Sequence, residues 1–228
     1  MSAKTISPYG SWDSPITAEL ITQGGLRLGE VRVDGSDTYW LEGRPEESGR
    51  HVVVRLTPDG SVIDINPTPF NARNAVHEYG GASFAVQDGV IYFTNWDDQR
   101  IYSVTEGGVP VAITAEPDID QGDRYADLVL SNDSNWILCV RERHFEDREA
   151  DNELVAVKTD GSGEVNVLAT GYDFYSSMRQ SPSGDRVCWL SWNHPDMPWD
   201  GCELWVADFN PVSGLVSNSI KVAGDRST

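Results

Sequence analysis

Short apolar runs separated by polar turns set the pattern of this chain. In residues 88–114, DGVIYFTNWDDQRIYSVTEGGVPVAIT, apolar runs occupy 90–93, 101–104 and 109–113. Each run has the length of a strand and is rich in β-branched and aromatic residues, and the breaks carry the Asn, Asp and Gly of tight turns. The stretch therefore predicts an antiparallel meander.

The same pattern recurs with a period of about 48 residues. Four segments follow a small polar turn and are equivalent strands of successive units: DTYWLEG (37–43), GVIYFTN (89–95), NWILCVR (135–141) and DRVCWLSW (185–192). Tandem four-stranded antiparallel units at this spacing are typical of a β-propeller. We predict an all-β protein with an N-terminal segment at 1–26 and about four blades, at 27–68, 77–116, 123–171 and 172–224.

A two-layer β-sandwich is the alternative fold, because it also uses short strands and turns. The long loop that recurs between the second and third strands of the units favours the propeller. Propeller blades bury their faces against each other, so an open arc leaves two sheet faces without a partner. A closed four-bladed ring exists as a class, but the sequence stops where a fifth blade would begin. We expect the 228 residues to be part of a larger, incomplete propeller.

Composition agrees with this fold and excludes some partners. Eight Trp, eight Tyr and six Phe with 21 Gly suit a turn-rich β protein. The net charge is −19, and no basic patch is long enough to follow a phosphate backbone, so we expect neither nucleic acid nor membrane as a partner. No signal-peptide core or transmembrane run is visible, and the three cysteines follow no zinc or disulfide spacing, which predicts a cytoplasmic protein.

Familiar catalytic motifs are missing from the sequence. The nearest match to a GxSxG nucleophile elbow is GASFA at 81–85, which lacks the last glycine and lies in a predicted strand, so Ser83 is not a nucleophile candidate. No dinucleotide, Walker, zinc-protease or EF-hand motif occurs. We expect no catalytic residue, no metal site and no cofactor in these residues.

Three loop clusters carry the candidate chemistry. HEYGG (77–81) precedes a predicted first strand, while RERHFEDRE (141–149) and WNHPDMPWDG (192–201) leave second strands of successive blades and should lie side by side. Apolar side chains on a stiff loop indicate binding, although prolines that stiffen the loop and tryptophans that pack on a neighbouring blade explain them equally well. The candidate binding or interdomain residues are His77, Glu78, Tyr79, Arg141, Glu142, His144, Trp192, His194, Met197, Trp199 and Asp200.

These clusters also carry a family resemblance. YGSWDSPIT (9–17), VHEYGGASF (76–84), VRERH (140–144) and WNHPDMPWDG (192–201), in this order, resemble the N-terminal propeller of the prolyl oligopeptidase family of serine peptidases. The acylaminoacyl-peptidase and dipeptidyl-aminopeptidase branch is the most similar. The resemblance covers nearly the whole chain.

The resemblance implies a two-domain enzyme in which a seven- or eight-bladed propeller caps an α/β-hydrolase domain with a Ser, Asp and His triad. The propeller would admit short peptides, and its loops would hold the substrate terminus, with Glu78, Arg141 and Glu142 as candidates by analogy. The hydrolase domain would be the partner, in the same chain or a separate one. Because the triad positions do not occur here, we expect no peptidase activity from these residues alone.

Two other functions remain open from the sequence. A stand-alone interaction module would close itself by self-association through its open blade edges. A propeller hydrolase of the lactonase type would need several carboxylates and an Asn or His around a metal in the channel, and the sequence shows no clear set of this kind.

Overall fold

The computed structural model describes residues 6–22 and 24–225, and these form four antiparallel sheets of four strands each. A short helix, α1 (Ala18–Thr22), precedes the first sheet. Blade 1 contains β1 (Arg27–Asp34), β2 (Asp37–Arg44), β3 (Arg50–Leu56) and β4 (Val62–Asp64). Blade 2 contains β5 (Phe84–Gln87), β6 (Val90–Thr94), β7 (Ile101–Thr105) and β8 (Val111–Ala112).

The second half of the chain repeats this order. Blade 3 contains β9 (Asp123–Leu130), β10 (Trp136–Arg143), β11 (Asp151–Lys158) and β12 (Val165–Ala169). Blade 4 contains β13 (Phe174–Gln180), β14 (Arg186–Trp192), β15 (Glu203–Asn210) and β16 (Leu215–Ala223). Single turns of 3-10 helix occur at Pro45–Glu47 and Val76–Glu78. The prediction of an all-β propeller with four blades is confirmed.

The first strands of successive blades lie next to each other and form the inner side of the arc. Strands β10 and β11 in blade 3 are buried on both faces because blades pack on either side of them. In β10, Ile137 and Cys139 contact the blade 2 side, whereas Trp136, Leu138 and Val140 contact the blade 4 side. This two-sided burial explains why WILCV reads as a continuous apolar run instead of an alternating one.

Three hydrophobic clusters fill the spaces between blades. Between blades 1 and 2 the buried side chains include Tyr39, Leu41, Val53, Phe84 and Phe93. Between blades 2 and 3 they include Tyr92, Ile101, Tyr125, Leu128 and Val155. Between blades 3 and 4 they include Leu154, Tyr175, Met178, Trp189 and Phe209.

Bulges in the inner strands tie neighbouring blades together. Glu30 (φ +52°) and Asp127 (φ +60°) lie at register shifts in β1 and β9. Glu30 Oε2 accepts a hydrogen bond from the Ser83 N–H at 2.8 Å, and Asp127 Oδ1 accepts one from the Ala82 N–H at 3.0 Å. The start of blade 2 is therefore held from both sides, and burial raises the pKa of Glu30. Ser83 donates its hydroxyl to Glu30 Oε1 at 3.0 Å and does not occupy a nucleophile elbow.

One face of blade 4 has no partner among the described residues. Val206 pairs in register with Cys188 and Ile220, and these three side chains point away from blade 3. Ile220 is 61% exposed. The cysteines are free thiols, and Cys188 and Cys202 are not register partners, because Cys188 lies opposite Val206. Within the part of the chain that the structure describes, no helix is long and apolar enough to cross a membrane.

Candidate functional site

Glu142 is the point at which the loops of blades 2 and 3 meet. Its Oε2 accepts a hydrogen bond from the His77 backbone N–H at 2.6 Å, across 65 positions of sequence. Its Oε1 lies 3.0 Å from His144 Nε2. The residue is only 6% exposed. A buried carboxylate with contacts on both oxygens fixes three of the candidate residues relative to each other.

The HEYGG loop is held in an unusual backbone conformation. His77 (φ +54°) and Glu78 (φ +68°) both adopt the left-handed region, which is uncommon outside glycine. The Gly81 N–H donates to Asn74 Oδ1 at 2.9 Å, and Asn74 Nδ2 donates to the Gly81 carbonyl at 3.0 Å. At Gly80 a Cβ would lie 2.7 Å from the Asn74 carbonyl oxygen, so only glycine fits. The two hydrogen bonds from the Asn74 side chain therefore hold the strained loop in place.

Phe174 lies at the centre of an aromatic cluster that joins blades 2 and 4. Its ring centroid is 5.0 Å from that of His77, 5.4 Å from Trp192 in a stacked arrangement, and 4.9 Å from His194 edge-on. Sequence analysis found the three partners but missed Phe174. Its only signal was an aromatic residue at the start of an inner strand, which is also how an ordinary core residue appears.

Asp173 joins two loops of blade 4. Its backbone N–H donates to Asn193 Oδ1 at 2.6 Å, and its own Oδ2 accepts from the His194 N–H at 2.8 Å. This pair of hydrogen bonds places the imidazole of His194 against Phe174. Sequence analysis did not select Asp173 because an aspartate in a turn usually bonds only to its own loop.

A cavity of about 910 Å³ opens beside these groups, between blades 3 and 4. Phe174 and His194 form an aromatic part of its wall, and the remainder is polar. No lysine or arginine is among the described residues that line it. Its acidic lining residues are Glu142, Glu149, Asp151, Glu153 and Asp173. The cavity thus offers negative charge beside aromatic rings, a combination that suits a cationic organic group.

The candidate Arg141 is buried and already paired. Its Nε donates to Glu153 Oε2 at 2.8 Å, and its guanidinium lies 3.9 Å from Asp123. Glu78, in contrast, is exposed and accepts from Arg124 at 2.8 Å, and this contact lowers the pKa of the Glu78 carboxyl.

The remaining candidates are Tyr79, Met197, Trp199 and Asp200. Trp199 is 76% exposed, and Met197 is exposed at the turn in which the Asp200 N–H donates to the Met197 carbonyl at 2.9 Å. Met197, Trp199 and Asp200 do not line the large cavity. Tyr79 is exposed, with its ring 6.0 Å from the His77 ring. Among the described residues no group of three or more His, Cys, Asp or Glu side chains is arranged to hold a metal ion.

Lowering the pH should weaken this site through His77. Burial lowers the pKa of His77, while the Glu142 and Asp127 charges oppose that shift. The unfolded state therefore binds a proton near the ordinary pKa of about 6.5, where the folded state does not. The stability that the neutral His77 contributes is complete above the unfolded pKa of about 6.5, and it is lost as the pH falls toward the lower pKa of the folded state.

The His77→Asn variant isolates this effect, because asparagine tolerates a positive φ and does not titrate. Urea unfolding of wild type and variant between pH 7.5 and 5 measures it. We expect the difference in free energy of unfolding, wild type minus variant, to shrink as the pH falls. A difference that stays constant across this range would contradict the assignment.

Comparisons with known proteins give relatives only at the level of solved structures. None of the protein-family models compared with the chain matches it, and no curated protein sequence does. A puromycin-hydrolyzing peptidase of Mycobacterium tuberculosis is 37% identical over 97% of this chain, with a TM-score of 0.87. A structure of puromycin hydrolase is 33% identical over 98% of this chain, also with a TM-score of 0.87.

The match extends over only part of these relatives. The chain spans 36% of the length of each of the two puromycin-hydrolysing structures. An acylaminoacyl peptidase of Pyrococcus horikoshii matches 88% of this chain at 11% identity and a TM-score of 0.61, which shows a shared fold alone.

Proposed function

Because the chain belongs to the prolyl oligopeptidase family as part of its N-terminal propeller, we propose that it gates and positions short peptides for a hydrolase domain outside these 228 residues. The observation that supports this role best is the junction at Glu142, where the loops of blades 2 and 3 meet beside a cavity of about 910 Å³. This volume lies within the range of about 300–1,000 Å³ that is usual for ligand pockets.

The physical argument rests on rigidity and charge. Glu142 fixes the HEYGG loop, and Phe174 packs against His77, Trp192 and His194, so the wall of the cavity is organised before any ligand arrives. A preorganised wall binds with less loss of conformational entropy. The acidic lining attracts the positively charged end of a peptide and repels a free carboxylate. This favours peptides that enter with their amino terminus toward the cavity.

Calorimetric titration of the purified 228-residue chain with the amide of trialanine tests the proposal. We expect saturable binding at one site and no cleavage of the peptide in the recovered solution. The puromycin-hydrolysing activity in the names of the relatives belongs to those longer proteins. Absence of any binding heat in this titration would contradict a substrate-positioning role.

The unpartnered face of blade 4 supports a second candidate, an interaction module that associates with itself. Cys188, Val206 and Ile220 share this face, and Ile220 is largely exposed. Sedimentation velocity separates the two candidates. A stable dimer over a wide concentration range would favour the module, whereas a monomer would leave the positioning role.

We propose the cytoplasm as the compartment. The three cysteines are free, and burial raises the pKa of the Cys139 thiol, which keeps it unreactive. Free thiols in a chain of this size suit a reducing compartment. Recovery of the native protein in a secreted fraction would contradict this assignment.

A further inference from the structure

A second, smaller cavity lies between blades 3 and 4, and its volume is about 210 Å³. It reaches the outer strands of both blades, because Leu168 and Ala169 of β12 and Ser219 of β16 line it. Its aromatic lining residues are Tyr172, Tyr175, Trp189 and Trp205. We call this cavity the aromatic slot.

The rings of the aromatic slot are arranged to receive another ring. Trp189 and Trp205 are register partners on β14 and β15, and their rings are within 8° of parallel with centroids 6.4 Å apart. The Tyr172 ring crosses that of Trp205 at 66°, with centroids 6.2 Å apart. Aromatic rings attract each other in offset-stacked and edge-to-face arrangements at about 4.5–7 Å. A planar ring in the slot can therefore use both arrangements.

Hydrogen bonds fix this wall before any ligand arrives. The Tyr172 hydroxyl donates to Glu203 Oε2, and the Tyr172 backbone N–H donates to the Tyr175 hydroxyl oxygen at 3.2 Å. Glu203 also accepts from Lys221 Nζ at 3.3 Å, so its charge is matched within blade 4. A wall that is already ordered loses little conformational entropy on binding.

The polarity of the aromatic slot differs from that of the large cavity. Among the described residues that line it, none is charged, whereas the large cavity has five acidic lining residues. An ionised ligand would lose its hydration here without gaining a charged partner. Thr170 and Ser219 supply hydroxyl groups, each of which can donate or accept a hydrogen bond. The slot therefore suits a neutral ligand that has one polar group.

The volume of the slot limits the size of this ligand. An apolar cavity of about 150 Å³ is large enough for one benzene ring. At about 210 Å³ the slot fits one aromatic ring or two fused rings, but it leaves no room for a peptide backbone. A free small compound is thus a better occupant than an aromatic side chain of a peptide.

We propose that the aromatic slot binds a neutral compound of one or two fused aromatic rings that carries a hydroxyl group. The ring stacks on Trp205 with Tyr172 across it, and the hydroxyl group bonds to Thr170 or Ser219. This site is separate from the peptide site, although Thr170 and Tyr172 line both cavities. The inference does not depend on the proposed function.

Calorimetric titration of the 228-residue chain with naphthol tests this assignment. In the Ser219→Leu variant the larger side chain fills the slot from β16 and leaves every ring in place, so we expect the Kd to rise at least about tenfold. Ser217→Leu is the matched control. Ser217 lies on the same strand opposite Asp208, with its side chain on the other face of the blade, and its replacement should change the Kd less than about threefold.

The saturated counterpart, decalol, tests whether the aromatic rings determine the affinity. It has the same skeleton and hydroxyl group but no π system, and we expect it to bind wild type at least about threefold more weakly than naphthol. Equal affinity for the two compounds would overturn the assignment to an aromatic ligand. Equal affinity of wild type and Ser219→Leu for naphthol would place the binding elsewhere and would overturn it too.

Two further outcomes would also contradict the inference. If wild type gives no saturable binding of naphthol, the slot is only a gap in the packing of blades 3 and 4. If N-acetyl-tryptophanamide binds more tightly than naphthol and loses this affinity in Ser219→Leu, the occupant is a peptide side chain and not a free compound. Binding of trialanine amide is measured separately, so the proposed peptide-positioning function is not affected by either result.

Discussion

Replacing Trp136 by alanine should lower the free energy of unfolding by about 3–5 kcal/mol. Trp136 is 1% exposed and lies between blades 3 and 4. Its indole N–H donates to the Pro211 carbonyl at 2.8 Å in the last turn of blade 4, and Lys158 Nζ lies 4.2 Å from the ring centroid. Gly214 packs so closely that a Cβ there would lie 2.5 Å from the indole. One side chain therefore joins the two blades, and its loss leaves a cavity and an unpaired carbonyl.

Urea unfolding followed by circular dichroism measures this change. Trp199→Ala is the matched control, because it removes the same side chain from an exposed position and should change the free energy by less than about 0.5 kcal/mol. Equal unfolding midpoints for the two variants would show that the blade 3–blade 4 contact does not depend on Trp136.

The repeat in the sequence predicted the blades because each second strand buries at least one face against a neighbouring blade. The segments around Tyr39, Tyr92, Leu138 and Trp189 all lie in second strands, and these four side chains are buried. A face that must be buried allows only one register, so periodicity is sufficient to place such strands. The resemblance to the prolyl oligopeptidase family, found from the loop residues, is confirmed by the solved relatives.

The site was only partly predictable. The loop residues His77, Glu142 and His194 were selected because they combine unusual chemistry with turn positions. Asp173 and Phe174 were missed because their roles depend on contacts with other loops: Phe174 meets His77 across almost a hundred positions of sequence. Single-sequence patterns report which face is buried, but they do not report which loop lies opposite another at the end of an arc.

Nor could the sequence show which charged side chains already have partners within the protein. Arg141 and Glu142 were equally plausible ligands for a substrate terminus, yet Arg141 is paired with Glu153, and Glu142 accepts a hydrogen bond from the His77 N–H. The free energy of a buried charge depends on its partners. Only the three-dimensional arrangement shows which partners these charges have.

Removing the Glu142 side chain should produce the second large effect. Glu142→Ala leaves the part-buried His77 N–H without an acceptor and His144 without its neighbour, and we expect a loss of about 2–4 kcal/mol in the free energy of unfolding. Glu142→Gln keeps a carbonyl oxygen for the His77 N–H and should lose roughly half as much. Glu149→Ala, on the same cavity but exposed, should change it by less than about 0.5 kcal/mol.

Amide hydrogen exchange locates the effect in the HEYGG loop. His77 and Glu78 hold left-handed backbone angles, and this strain persists only while the surrounding contacts compensate for it. Without the Glu142 carboxylate the loop should open more often, so exchange at the His77 amide should accelerate by at least about tenfold in Glu142→Ala, while Trp136 in the core of blade 3 keeps its protection. Unchanged exchange at His77 would show that Asn74 and Gly80 alone fix the loop, and that Glu142 does not organise the wall that carries the aromatic cluster.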